Sequence, residues 1–218
     1  MESHNAKIKK SVRYFTVGKI SPQVKNLWIC LHGYGQNAEI FARRFEKLDK
    51  EDRLFLVPEG PHRFYVTGTS GQVGSSWMTK VDRLNDISDQ FEYLEELTGA
   101  ISSGLIIDCN IHILGFSQGV ATALRWIDRT AIKVKSLICW AGTFPPDVDY
   151  KLHHTQFEEI NFHACFGDDD EFIPLEKAKE LLKDLEKQEI KVQPHFFEGG
   201  HRMYDDLLGE LIVHCETQ

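Results

Sequence analysis

The sequence predicts an α/β fold in which a mostly parallel central sheet is covered by helices on both faces. Short apolar runs rich in β-branched and aromatic residues recur along the chain, and segments with apolar residues three and four apart lie between them. From residue 27 onward the two kinds alternate. Strands that return through helices to parallel neighbours leave helices on both faces of the sheet. With 218 residues, 42% of them hydrophobic, the chain has enough apolar material for one sizeable core. A single domain over 1–218, without a large cap, is expected, because no repeat, linker or low-complexity segment divides it.

The run at 12–17 precedes the alternation and is expected as an antiparallel edge strand. Runs at 27–31 and 54–57 read as strands, the second followed by a stretch that breaks the rule of short connections. That stretch, 58–84, carries Gly60, Gly68, Gly71 and Gly74, two prolines, and the aromatics Phe64, Tyr65 and Trp77. It leaves the end of a strand, where ligands of such sheets sit, and is read as a functional or mobile loop bordering the site. Ile87, Phe91, Leu94, Leu97 and Ile101 then mark a helix. A strand at 111–114 leads into a helix that begins near Gln118 and carries Ala121, Leu124 and Ile127. Strands at 137–140 and 162–166 follow, then a helix through Ala178, Leu181, Leu182 and Leu185. A strand at 195–197 and a helix through Met203, Leu207, Leu211 and Cys215 end the chain.

A net charge of −8 gives no general attraction to nucleic acid or to anionic lipid, so neither is an expected partner. The five cysteines are odd in number and lack CxxC or Cys/His zinc spacing; they read as small buried hydrophobes in a reducing compartment. Cys215 stands where a prenylated cysteine would, but Glu216 and Thr217 are not the aliphatic pair that modification needs. No charged-then-apolar leader and no run of membrane-spanning length occurs, so a cytoplasmic protein with no stable membrane anchor is expected. Its oligomeric state is left open.

Gly115-Phe116-Ser117-Gln118-Gly119 lies between the strand at 111–114 and the following helix, the context that a G-x-S-x-G nucleophile elbow requires. Small residues two before and two after the serine let strand and helix pack closely, lifting the serine to the sheet's upper edge beside the helix amides. A serine hydroxyl is inert at neutral pH without a base. His201 follows the strand at 195–197 through Glu198-Gly199-Gly200, so it reaches the same edge. His112 and His163 fall inside strands and read as core residues, while His153 and His154 fall in a polar linker.

The imidazole needs an acid, and Asp168, Asp169, Asp170 and Glu171 follow the strand at 162–166. Spacing does not choose among them, although the chain order serine, acid, histidine suits the α/β-hydrolase fold. For the oxyanion, one donor is the backbone N–H of Gln118. The second is expected after the strand at 27–31, from Tyr34 N–H, with Gly33 as the alternative. His32 reads as an interior histidine fixing that loop. Tyr34, Phe116, Trp77, Trp140 and Phe172 are candidate walls of the acyl pocket.

These residues together resemble the phospholipase/carboxylesterase family of small α/β-hydrolases, which includes acyl-protein thioesterases. The resemblance runs through nearly the whole chain on Leu31-His32-Gly33-Tyr34-Gly35, Gly115 to Gly119, the Gly-x-x-Asp-x-x-x-Pro form of Gly167 to Pro174, and the glycine-flanked His201. It implies Asp170 as the acid, with Asp168 as runner-up. It also implies hydrolysis of esters, thioesters or lysophospholipids without metal or organic cofactor, and a place for Trp140 near the acyl pocket. Val120, where many members have a glycine, and the differing stretch 63–77 favour small esters over protein depalmitoylation. The same triad also serves acyltransferases and peptidases, and a non-catalytic binding module on this scaffold is the other alternative.

Overall fold

The computed structural model describes residues 1–2, 4–150 and 154–218. Seven strands form one sheet in the order β1-β3-β2-β6-β7-β8-β9. They are β1 Tyr14–Val17, β2 Asn26–Leu31, β3 Arg53–Pro58, β6 Asn110–Phe116, β7 Val134–Trp140, β8 Asn161–Gly167 and β9 Gln193–Phe197. Only β1 runs antiparallel to its neighbour, pairing Tyr14 with Pro58, in agreement with the expected edge strand. β2, β6, β7 and β8 are buried over almost their whole length, which explains why they read as unbroken apolar runs.

Alternate side chains of these strands enter two cores. Leu27, Ile29 and Leu31 face Leu94 and Leu97 of α2 (Arg83–Ser102) and Leu124 and Ile127 of α3 (Gln118–Ile127). Trp28 and Cys30 face the other way, toward Phe41 of α1 (Ala38–Arg43) and Leu208, Leu211 and Ile212 of α6 (Asp205–Thr217). Ala178 and Leu181 of α5 (Leu175–Glu186) pack on Ala164 and Phe166 of β8.

Several boundaries differ from those expected. Met203 is a buried loop residue before α6, which starts at Asp205. α1 and α4 (His154–Glu158) are too short to show periodicity, and α1 is held by Asn37, whose side chain accepts from the N–H groups of Glu39 and Ile40. His154 therefore begins a helix rather than lying in a linker, and His153 lies outside the described residues.

The stretch 58–84 is no irregular loop: it folds into an antiparallel hairpin, β4 (His62–Tyr65) with β5 (Val73–Ser76). The hairpin is bound to the loop after β2 by Gly35 N–H to Ser75 C=O, 2.8 Å, and Ser75 N–H to Gln36 C=O, 2.9 Å. A Cβ at Gly74 would collide with the Gly35 carbonyl, so glycine is required for this approach.

His32, His112 and His163 are fully buried. Burial pushes their pKa values down to about 4, 3 and 4 respectively, keeping the imidazoles neutral. The unfolded chain takes up these protons near pH 6.5, whereas the native chain does not until about pH 4 or below. Stability should therefore fall as pH drops from about 6.5 toward 4, by on the order of 2 kcal/mol per histidine at pH 5. Urea unfolding at pH 7 and pH 5 measures the slope, and His112→Phe should flatten it. An unchanged slope in that variant would place the protons elsewhere.

Candidate active site

Ser117 sits where β6 turns into α3, with φ 53° and ψ −116°, a conformation L residues avoid. Surrounding structure enforces it. Ser117 N–H donates to Trp140 C=O at 2.8 Å, tying the turn to β7, and Val120 N–H closes back to Ser117 C=O. A Cβ on Gly115 would meet the Gly119 backbone at 2.7 Å, and one on Gly119 would strike the Leu31 carbonyl of β2. Gly142 leaves the room that the buried Val120 side chain fills, which is how this chain accommodates a branched residue beside the elbow.

His201 lies at the same sheet edge. Its Nε2 is 2.9 Å from Ser117 Oγ and its Nδ1 is 2.8 Å from Asp170 Oδ2. With Nδ1–H donating to the carboxylate, Nε2 is left to accept the serine proton. The Asp170 side chain is fully buried, and its Oδ1 accepts from Phe172 N–H at 2.8 Å and Ile173 N–H at 3.0 Å. Those bonds fix the carboxylate in one orientation. Asp168 points elsewhere: its Oδ1 accepts Gly199 N–H at 2.9 Å, bracing the loop that carries His201. Phe116 and Phe172 place their rings 5.2 and 4.7 Å from the imidazole.

The loop after β2 is held from several sides. Gly33 N–H is taken by Gln36 Oε1 at 2.8 Å. His32 accepts Gly60 N–H on Nε2 at 2.9 Å, so its Nδ1–H donates to Gly33 C=O at 2.7 Å. The Gln118 side chain spans to the hairpin, accepting Trp77 N–H at 3.1 Å and donating to Met78 C=O at 2.9 Å.

A cavity of about 580 Å³ opens at Ser117 and His201. Tyr34, Phe116 and Phe172 line it, Tyr34 and Phe172 from its exposed rim. Trp77 and Trp140 do not, which corrects the expected pocket. Both are fully buried: the Trp77 indole donates to His32 C=O at 2.8 Å, and that of Trp140 to Arg202 C=O at 3.0 Å. They support the loops from beneath, since large rings beside an apolar sheet bury most area within the core. Met78 and Arg125 line the cavity without having been expected there. Arg125 had a signal, its spacing of four from Ala121 and eight from Ser117 along a helix. Met78, at the exit of the hairpin, had none.

Among the described residues no cluster of three potential metal ligands occurs, and no helix is long and apolar enough to cross a membrane.

The sequence model of the phospholipase/carboxylesterase family matches residues 13–218. An uncharacterized hydrolase of Schizosaccharomyces pombe is 24% identical over 143 residues, 60% of this chain and 58% of that protein, so the match spans little more than half the length of this curated relative. Acyl-protein thioesterase 2 of Zea mays superimposes with a TM-score of 0.74 at 17% identity, covering 94% of this chain and 99% of the maize protein. A phospholipase/carboxylesterase of Dyadobacter fermentans gives a TM-score of 0.63 at 20% identity, covering 98% of this chain and 100% of the other. At such identities the two structures speak for the α/β-hydrolase fold. The extent of the family match, over nearly the whole chain, is decisive: the chain belongs to the phospholipase/carboxylesterase family of α/β-hydrolases.

Proposed function

We propose that the protein is a serine hydrolase of small carboxylic esters, with thioesters within reach of the same chemistry, using Ser117 as nucleophile, His201 as base and Asp170 as its orienting acid. The observation that carries this is the unbroken hydrogen-bond chain from Ser117 through His201 to the buried Asp170, opening into a cavity of small-molecule size. His201 Nε2 takes the hydroxyl proton as Ser117 Oγ attacks the acyl carbonyl, and Asp170 stabilises the imidazolium. The N–H groups of Tyr34 and Gln118 receive the oxyanion; neither has an acceptor among the described residues, while Gly33 N–H does. His201 then protonates the departing alcohol or thiol, leaving an acyl-enzyme. A water deprotonated by the same nitrogen releases the acid, and no step calls for a metal or organic cofactor.

A fluorophosphonate tests nucleophile activation without assuming a substrate. Ser117 Oγ displaces fluoride from phosphorus, so intact mass should rise by a single adduct, mapped by peptide digestion to Ser117. A folded protein that takes up no adduct would favour a non-catalytic binding module.

A further inference from the structure

Beyond the triad, the cavity holds one fixed positive charge. Ala121 and Arg125 lie one turn apart on the same face of α3, beyond Ser117 at its N-cap, and all three line the cavity. Ala121 has almost no side chain and leaves a trough between the other two. From Gln118 to Arg125 the helix rises about 10 Å, and a long side chain on a helix leans back toward the N-terminal turn.

Arg125 shares its acidic partner with a second arginine. Arg125 Nε and Nη2 donate to Asp147 at 2.9 and 2.8 Å, and Arg83 Nη2 shares the same carboxylate at 3.1 Å. Two guanidinium groups thus share the Asp147 carboxylate. Among the described residues, the Nη1 group of Arg125 meets the Met78 sulfur, at 3.4 Å, a poor acceptor for a cation's N–H. The Arg125 side chain is 12% exposed, and the cavity lining contains no aspartate or glutamate. In a chain of net charge −8, a cation in a wall whose other polar side chains include the neutral Gln36, Gln118 and Thr143 is a local feature, not part of a general field.

Resting on the serine hydrolase reading above, we propose that Arg125 is a specificity-determining residue that binds a carboxylate at the far end of the substrate's acyl chain. The leaving oxygen must meet His201 Nε2 to be protonated, which places the alcohol against His201 and Phe172. The acyl chain then takes the trough over Ala121, which ends at Arg125. A fixed cation there replaces the hydration of a terminal carboxylate, while a terminal methyl gains nothing from it.

The test compares kcat/KM for a matched pair, the p-nitrophenyl monoester of suberate and p-nitrophenyl octanoate. Their ratio is independent of the fraction of enzyme folded. In the wild type the ratio should favour suberate by about tenfold, the scale of one charge-assisted hydrogen bond. Added salt should lower it. Arg125→Gln should remove the preference, Arg125→Lys should retain part of it, and Asp147→Asn should increase it by releasing the competing carboxylate. A ratio that is the same in the wild type and Arg125→Gln overturns the assignment. If Ser117 takes up the fluorophosphonate while the ratio ignores Arg125, only this inference fails; if there is neither adduct nor ester turnover, the hydrolase reading falls and this one with it.

Discussion

Ser117→Ala is expected to lower kcat for any turned-over ester by about 10⁶-fold, while leaving a residual rate some 10³-fold above water. The first figure follows because nucleophile and base act as a unit: without Oγ there is nothing for His201 to deprotonate and no acyl-enzyme. The second follows because the proposed donors, the N–H groups of Tyr34 and Gln118, belong to the backbone and survive the substitution. The alanine must still adopt the positive φ of the elbow, which the packing of Gly115, Gly119 and Leu31 enforces, so a thermal melt should accompany the assay. A folded variant that keeps more than a hundredth of the wild-type kcat would remove Ser117 from the chemistry.

Asp170→Asn should cost about 10⁴-fold in kcat, because an amide in place of the carboxylate stabilises the wrong imidazole tautomer. Asp168→Asn should cost no more than about tenfold, because it loses only part of one hydrogen bond, to Gly199 N–H, and touches neither reacting group. The two substitutions are chemically identical and two residues apart, so their contrast isolates position from charge. Steady-state kinetics on both variants decides the matter, and a dead Asp168→Asn beside an active Asp170→Asn would exchange their roles.

Much of this organisation was legible in the sequence because parallel strands buried on both faces cannot hide: β2, β6, β7 and β8 appear as apolar runs bounded by turns. The shared placement of Ser117 and His201 was legible for a related reason, since each follows a strand at the edge where such folds place ligands. The acid was not separable by spacing. What sets Asp170 apart in space is its 2.8 Å contact with His201 Nδ1, in an orientation held by the N–H groups of Phe172 and Ile173, which a string of acidic letters does not display. The hairpin is not legible in the sequence because β5, Val-Gly-Ser-Ser, has no apolar run, and its pairing depends on partners elsewhere in the chain. Trp77 and Trp140 misled because an indole is equally at home in a pocket wall or under one. Only the position of an acceptor, His32 C=O or Arg202 C=O, decides.

The β4–β5 hairpin stands outside the main sheet, yet through Gln36 and Ser75 it holds the loop with Tyr34, and through Trp77 and Met78 it holds the side chain of Gln118. The two proposed oxyanion donors therefore have unequal supports: the backbone N–H of Gln118 belongs to the elbow and the main sheet, whereas the Tyr34 loop is tethered to the hairpin. Local opening of a small unit is a separate event from unfolding of the sheet. Opening of the hairpin would loosen one half of the proposed cradle and leave Ser117, His201 and the other half in place.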